Sequence, residues 1–201
     1  GARVAATPAA LAAACETIIL CVTGSPQVEA VLTGKHGILT AMKPGTVVID
    51  CSTAVPESTR RMAALVEKAG GAMLDAPMTR TPKEAAEGRL NLLVGGDGAV
   101  LEAKRPLLEA FAENITHAGA CGSGHTLKLL HNFVSLGFAS VLGEAAAAAG
   151  RAGIDPAVFQ AVLAKGGGGG VALDRMSPYI LERDPSGLRF TLADAAKDLD
   201  Y

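Results

Sequence analysis

The sequence predicts an α/β fold, with a mostly parallel sheet in residues 1–120 and an all-helical domain in residues 121–201. Three observations predict it. Short apolar runs closed by Gly, Pro or Asp alternate with helical patterns through the first 118 residues. Those runs are apolar almost throughout, as strands covered on both faces are. After Gly119 nothing reads as a strand.

The strands are read at "TIILCV" (17–22), "TVVID" (46–50), "AMLDAP" (72–77), "LNLLVGG" (90–96) and "NITHAG" (114–119). Between them, helical patterns cover Gln27–Leu32, Pro56–Ala69 and Ala99–Phe111. Pro56 suits a helix's first turn, with Ser52 and Thr53 upstream as candidate caps, and "EKAGG" supplies the closing glycine. A long helix is expected from about Thr126 to Ala149, broken by "GRAGID". A shorter one follows from Pro156 to about Ala164, then five glycines (166–170) and further helical stretches.

Composition narrows the function. The 201 residues are 49% hydrophobic with a formal net charge of −2, two Tyr, five Phe and no Trp. Without a run of Lys or Arg and with few stacking platforms, nucleic-acid binding has no support. "PAALAAAC" is too short and Ala-rich for a membrane span, and no signal-peptide layout precedes it, so no membrane association is expected. Four cysteines (Cys15, Cys21, Cys51, Cys121) show no CxxC spacing, which weakens zinc and dithiol readings and suits a reducing cytoplasm.

The long helix carries the chemistry. In "GSGHTLKLLHNF" (122–133), Lys128, His131, Asn132 and, beyond it, Ser135 share one sector of the wheel, with His125 at its edge. Apolar residues fill roughly 200° of the rest, wider than the ~100° stripe of an ordinary surface helix. The mixed polar set lacks the Glu–Lys pairs of a solubilising face. The bland alternative is a solvated polar face. The wide arc and the position at a domain boundary favour a mostly enclosed helix whose polar stripe faces a cleft.

"GSGHTLKLLHN" resembles the G-x-G-x-x-x-K-x-x-N-N signature of the β-hydroxyacid dehydrogenases. Three further segments match in order: "VVIDCSTAVPESTR" (47–60) the D-x-S-T-x-x-P motif, "LDAPMTRTPKEAAEGRLNLLVGG" (74–96) the substrate-binding segment, and "FTLADAAKDLD" (190–200) the K-D-L motif. The resemblance implies a Rossmann-type sheet followed by a helical substrate and dimerisation domain. It implies hydride transfer between NAD or NADP and a small anionic β-hydroxy acid or its aldehyde, in a homodimer or homotetramer. Lys128 would be the proton carrier. Asn132 and His131 would hold substrate, His131 standing where the family usually has Asn. Val22, Thr23, Thr53 and Lys197 would line the cofactor site, Thr23 replacing a usual proline. Thr79, Arg80 and Thr81 stand where the family has Ser-Gly-Gly. Arg80 adds a fork suited to a second anionic group such as a sulfonate, unless it turns to solvent or pairs with Glu84 or Glu87. A protonated Lys128 serves reduction. Oxidation needs it neutral, a shift of roughly 4 kcal/mol in environment, for which Lys197 and Arg80 are candidate neighbouring cations.

No GxGxxG follows the first strand and opens a helix, as a dinucleotide fold requires. By the resemblance, the chain starts after the first βαβ turn and stops before the last helices of its second domain. Two alternatives stand beside the dehydrogenase: an imine reductase-like enzyme, and a catalytically inactive binding module. Both commonly lose the helix lysine, which this chain keeps.

Overall fold

The computed structural model describes residues 2–188 and 190–201. These divide into two compact units, one reaching Leu129 and including Tyr201, the other Leu130–Asp200. The division falls inside a helix, later than the expected boundary at residue 120, because that helix's first turns pack on the sheet.

In the first unit, β1 (Thr17–Leu20), β2 (Val47–Asp50) and β3 (Ala72–Asp75) pair in parallel, with Thr17 opposite Val47 and Val47 opposite Ala72. β5 (Leu90–Gly95) runs antiparallel to β3 and to the two-residue β4 (Met78–Thr79). The pairs Asp75–Gly95, Met78–Leu92 and Thr79–Asn91 keep one register, so β4 extends the line of β3 past a break at Ala76–Pro77. β6 (Ala112–Gly119) pairs parallel to β5. The expected sheet is present, with a reversal of direction at β5 that periodicity does not reveal.

Alternation at period two sends side chains to two cores. Ile18, Leu20, Val48 and Met73 pack with Ala12 of α1 (Pro8–Ala14), Val28 and Leu32 of α2 (Ser25–Thr33), and Met62 and Val66 of α3 (Pro56–Lys68). Val47, Ile49, Leu74, Leu92 and Val94 pack on the other face against Leu101 and Leu108 of α5 (Gly98–Leu108). The start of α3 corrects the expected caps. Its N-cap is Val55, whose N–H goes to Ser25 Oγ at 2.8 Å, while Ser52 Oγ accepts the Val22 N–H at 3.0 Å. Both serines tie one strand's exit loop to the next. A short helix α4 (Pro82–Ala86) follows β4.

Helix α6 spans Ser123–Arg151, longer at both ends than its sequence pattern indicates. In the second unit it is joined by α7 (Pro156–Ala164), α8 (Val171–Glu182) and α9 (Leu192–Asp200). Leu142, Leu173, Met176 and Ile180 form that unit's core. The unit is helical throughout its described residues, as expected.

Candidate active site

The first turn of α6 is seated on a buried carboxylate. Asp75, at the carboxyl end of β3, accepts the Gly122 N–H at 2.7 Å and the His125 N–H at 2.8 Å. Helix N-termini leave unsatisfied amides and carry partial positive charge. A carboxylate from a distant strand therefore satisfies both demands. The glycines of "GSG" belong to this seat. Gly122 has φ +91°, and a Cβ on Gly124 would lie 2.2 Å from the Leu93 carbonyl and 2.8 Å from Asp75 Oδ2. His125 is fully buried, with Nε2 3.0 Å from the Ser52 carbonyl and Nδ1 2.8 Å from Thr59 Oγ1. Lys128 follows on the same helix and is half-buried.

The loops that leave β1 and β2 form a lip of neutral side chains beside the buried Asp50. Val22 and Thr53 are half-buried and Thr23 exposed, and the Ser52–Val22 and Ser25–Val55 bonds lock the two loops together. In open α/β sheets ligands bind beyond the carboxyl ends of strands. Neutral residues and two threonine hydroxyls there suit the ribose and nicotinamide of a dinucleotide. These residues offer no pyrophosphate cradle. Beneath the lip, burial and the neighbouring Asp50 push the Cys51 thiol up to about 12. Burial and Asp75 do the same to Cys121.

The 79–81 segment is committed internally. Thr79 Oγ1 accepts from Asn91 Nδ2 at 3.1 Å. Thr81 caps α4 in a capping box with Glu84, giving both its N–H and its hydroxyl to Glu84 Oε2. The Thr81 hydroxyl bond holds the Glu84 carboxyl down at about 2. Arg80 adopts φ +82°, a left-handed conformation that favours glycine. Its guanidinium donates to Glu113 on β6 and to the Arg89 carbonyl. Arg80 thus pairs with an acid, and the acid is Glu113 instead of Glu84 or Glu87. Arg80 holds the Glu113 carboxyl below its usual range.

In the second unit Asn132 is buried and its Nδ2 donates to Asp198 Oδ2 at 2.6 Å. Lys197 Nζ lies 2.7 Å from Asp198 Oδ1. His131 is exposed, its Nδ1 3.1 Å from Asn132 Oδ1. Both candidate cations, Arg80 and Lys197, therefore sit beside a carboxylate. The apolar arc is a correction. The expected enclosure of α6 is absent, with Leu130, Phe133, Val134 and Val141 exposed at 57%, 66%, 68% and 66%. Asp75, Ser52, Thr59, Glu113 and Asp198 escaped the sequence reading as site-forming residues. Asp75, Ser52, Thr59 and Asp198 lie inside matched segments, and Glu113 alone carried no signal. His125 was placed at the rim of a polar stripe, where the structure has it fully enclosed.

A mostly parallel sheet with a lip of neutral side chains, and a lysine-bearing helix seated on a strand-end carboxylate, define a dinucleotide-binding α/β class. Residues 1–119 match the model for the NAD binding domain of 6-phosphogluconate dehydrogenase. Residues 122–201 match that for the NAD-binding domain of NADP-dependent 3-hydroxyisobutyrate dehydrogenase. The chain is 38% identical to 2-hydroxy-3-oxopropionate reductase of Escherichia coli, over 81% of this chain and 54% of that protein. It is 35% identical to NAD-dependent L-serine dehydrogenase of Pseudomonas aeruginosa, over 85% of this chain and 58% of that one. A solved structure of Mycobacterium tuberculosis 3-hydroxyisobutyrate dehydrogenase with L-serine superposes with a TM-score of 0.86 at 30% identity, covering 96% of this chain and 67% of that one. The chain belongs to the β-hydroxyacid dehydrogenase family. It spans between half and three-fifths of the length of these curated relatives.

Proposed function

We propose that the protein transfers hydride between NAD or NADP and a small β-hydroxy acid or its semialdehyde. The observation that carries this reading is Lys128. It is retained in the second turn of a helix whose start is fixed by Asp75, in a chain that matches the family along both halves. The nicotinamide, when bound, supplies or accepts the hydride at the substrate carbon. In reduction, Lys128 Nζ gives a proton to the carbonyl oxygen as the hydroxyl forms. In oxidation, its neutral amine takes the hydroxyl proton as the carbonyl forms. Val22, Thr23 and Thr53 would border the nicotinamide end, with Lys197 as a further contact. Asn132 and His131 would orient the substrate oxygen, and the backbone N–H of Arg80 would meet its carboxylate, the Thr81 N–H being given to Glu84. A substrate with a second anionic group, such as a sulfonate, would have to draw Arg80 away from Glu113.

Lys128→Ala in the full-length protein tests the reading. Turnover of 3-hydroxyisobutyrate or L-serine should fall by about 10²–10⁴-fold, with cofactor affinity nearly unchanged. A loss under tenfold would remove Lys128 as the proton carrier. Retention of Lys128 also weighs against the imine reductase-like and inactive-module alternatives.

We place the protein in the cytoplasm, supported by four cysteines that are all free thiols, and make it a homodimer or homotetramer through its helical unit. The exposed apolar stripe on α6 supports self-association. By length and composition α6 could also cross a membrane, at a mean hydropathy of 1.5. The family match to a dehydrogenase domain beginning at residue 122 favours a protein partner for that face.

A further inference from the structure

The Ser52 carbonyl can only accept a hydrogen bond, so His125 Nε2, 3.0 Å away, is the protonated nitrogen. In the neutral ring Nδ1 then accepts the Thr59 hydroxyl hydrogen at 2.8 Å, in preference to the Val55 carbonyl at 3.2 Å. The tautomer is therefore set by one acceptor from the β2 exit loop and one donor from α3. Ser52 also holds the Val22 N–H through its hydroxyl, and Thr53 is its chain neighbour. One fully buried ring thus joins the lip formed by Val22 and Thr53 to the first turn of α6.

We propose that His125 is a positioning residue for Lys128, setting the rotation and height of the helix that carries it against the cofactor lip; the role rests on the hydride-transfer reading above. Asp75 fixes the helix start through backbone bonds, which would permit the helix to pivot about that point. The His125 side chain supplies the second attachment that stops the pivot. Lys128 lies three residues further on, about 4.5 Å along the axis and about 60° around it. A misplacement of about 1 Å at a reacting group costs on the order of 10² in rate, so loss of the ring's two bonds reaches the chemistry without touching substrate. The ring does not contact the reaction, and Lys128 keeps its own proton function.

The test compares full-length wild type, His125→Leu, His125→Gln and Thr59→Val with 3-hydroxyisobutyrate and L-serine. Gln places an N–H donor and a carbonyl acceptor at one end, so it can keep both partners; Leu keeps bulk and loses both. Expected for His125→Leu is a ten- to hundredfold lower kcat, with cofactor affinity within twofold and amides 122–129 exchanging at least tenfold faster. His125→Gln should stay within threefold of wild type in kcat and match its exchange. If His125→Leu does not fold, Thr59→Val, which removes the Nδ1 partner and with it the hydroxyl's 3.2 Å contact to the Val55 carbonyl, should still lower kcat severalfold with KM little changed. The proposal is overturned if His125→Leu and Thr59→Val keep wild-type kcat, or if Gln falls as far as Leu. A wild type that oxidises neither substrate with NAD or NADP overturns the hydride-transfer reading itself, a separate outcome from an active enzyme indifferent to residue 125.

Discussion

His125 donates its backbone N–H to Asp75 Oδ2 at 2.8 Å across fifty residues of sequence, and Gly122 gives its own to the other oxygen. The end of β3 is therefore the point from which α6 is aimed. Asp75→Ala would leave two buried amides unpaired, at about 1–3 kcal/mol each. Asp75→Asn keeps one acceptor oxygen and turns an amide N–H toward the second donor. We expect Asn to cost about 1–3 kcal/mol and Ala more, in denaturant unfolding with unchanged slope. Equal, small losses for both would show that the helix start is held by packing alone.

The sheet was legible because each strand's apolar run is bounded by turn residues, and the helical unit because strand signals cease after Gly119. Lys128 and Asn132 stand out in the sequence as a polar stripe on an apolar helix, and the structure half-buries the first and buries the second. The Asp75 seat was not, since its partners are backbone amides, which leave no mark on side-chain pattern. Burial on α6 was misjudged for a related reason. Hydropathy shows that a face favours cover, not what covers it, and the second unit's core of Leu142, Leu173, Met176 and Ile180 covers only the later part of the helix. Arg80 and Glu113 lie on elements brought together by the reversal at β5, and that reversal has no sequence period.

Alkaline stability should report on Cys51. Burial raises its pKa from 9.0 to about 12, so the folded state holds the proton more tightly than the unfolded chain. That contribution is fully present below about pH 9 and is lost as pH rises toward 12. Within this window stability should fall by about 1.4 kcal/mol per pH unit for Cys51, the more exposed Cys121 adding a smaller slope. Cys51→Ala should flatten unfolding free energy against pH between 9 and 12. An unchanged slope would mean the thiol ionises freely in the fold.

The exposed stripe on α6 makes a second prediction about assembly. Leu130, Phe133 and Val134 fall on neighbouring turns, and burying each large apolar side chain contributes about 1.5–3 kcal/mol. Phe133→Ser with Val134→Ser should weaken self-association of the full-length protein by at least about 100-fold. Helical content should be unaltered. Sedimentation at several concentrations reads this directly, and an unshifted equilibrium would place the subunit contact elsewhere.

On the proposed substrate reading, Arg80 sets how far substrate charge is recognised. In the family's usual pattern a glycine stands here; this chain holds an arginine at φ +82° with its guanidinium turned to Glu113 and the Arg89 carbonyl. A second anionic group on the substrate must compete with Glu113, so the wild-type preference for such a substrate over 3-hydroxyisobutyrate should be small, under about tenfold. Removing the competitor should expose the latent site. A charge-assisted bond to a freed guanidinium is worth about 1.5–3 kcal/mol. Glu113→Ala should therefore raise kcat/KM for a sulfonate-bearing hydroxy acid by roughly ten- to a hundredfold and leave hydroxyisobutyrate unchanged. Arg80→Ala added to Glu113→Ala should abolish that gain, and Arg80→Lys should recover only part of it, because an ammonium lacks the planar fork. If Glu113→Ala moves both substrates equally, the Arg80–Glu113 pair is a structural tie between the segment after β4 and β6, with no part in substrate selection.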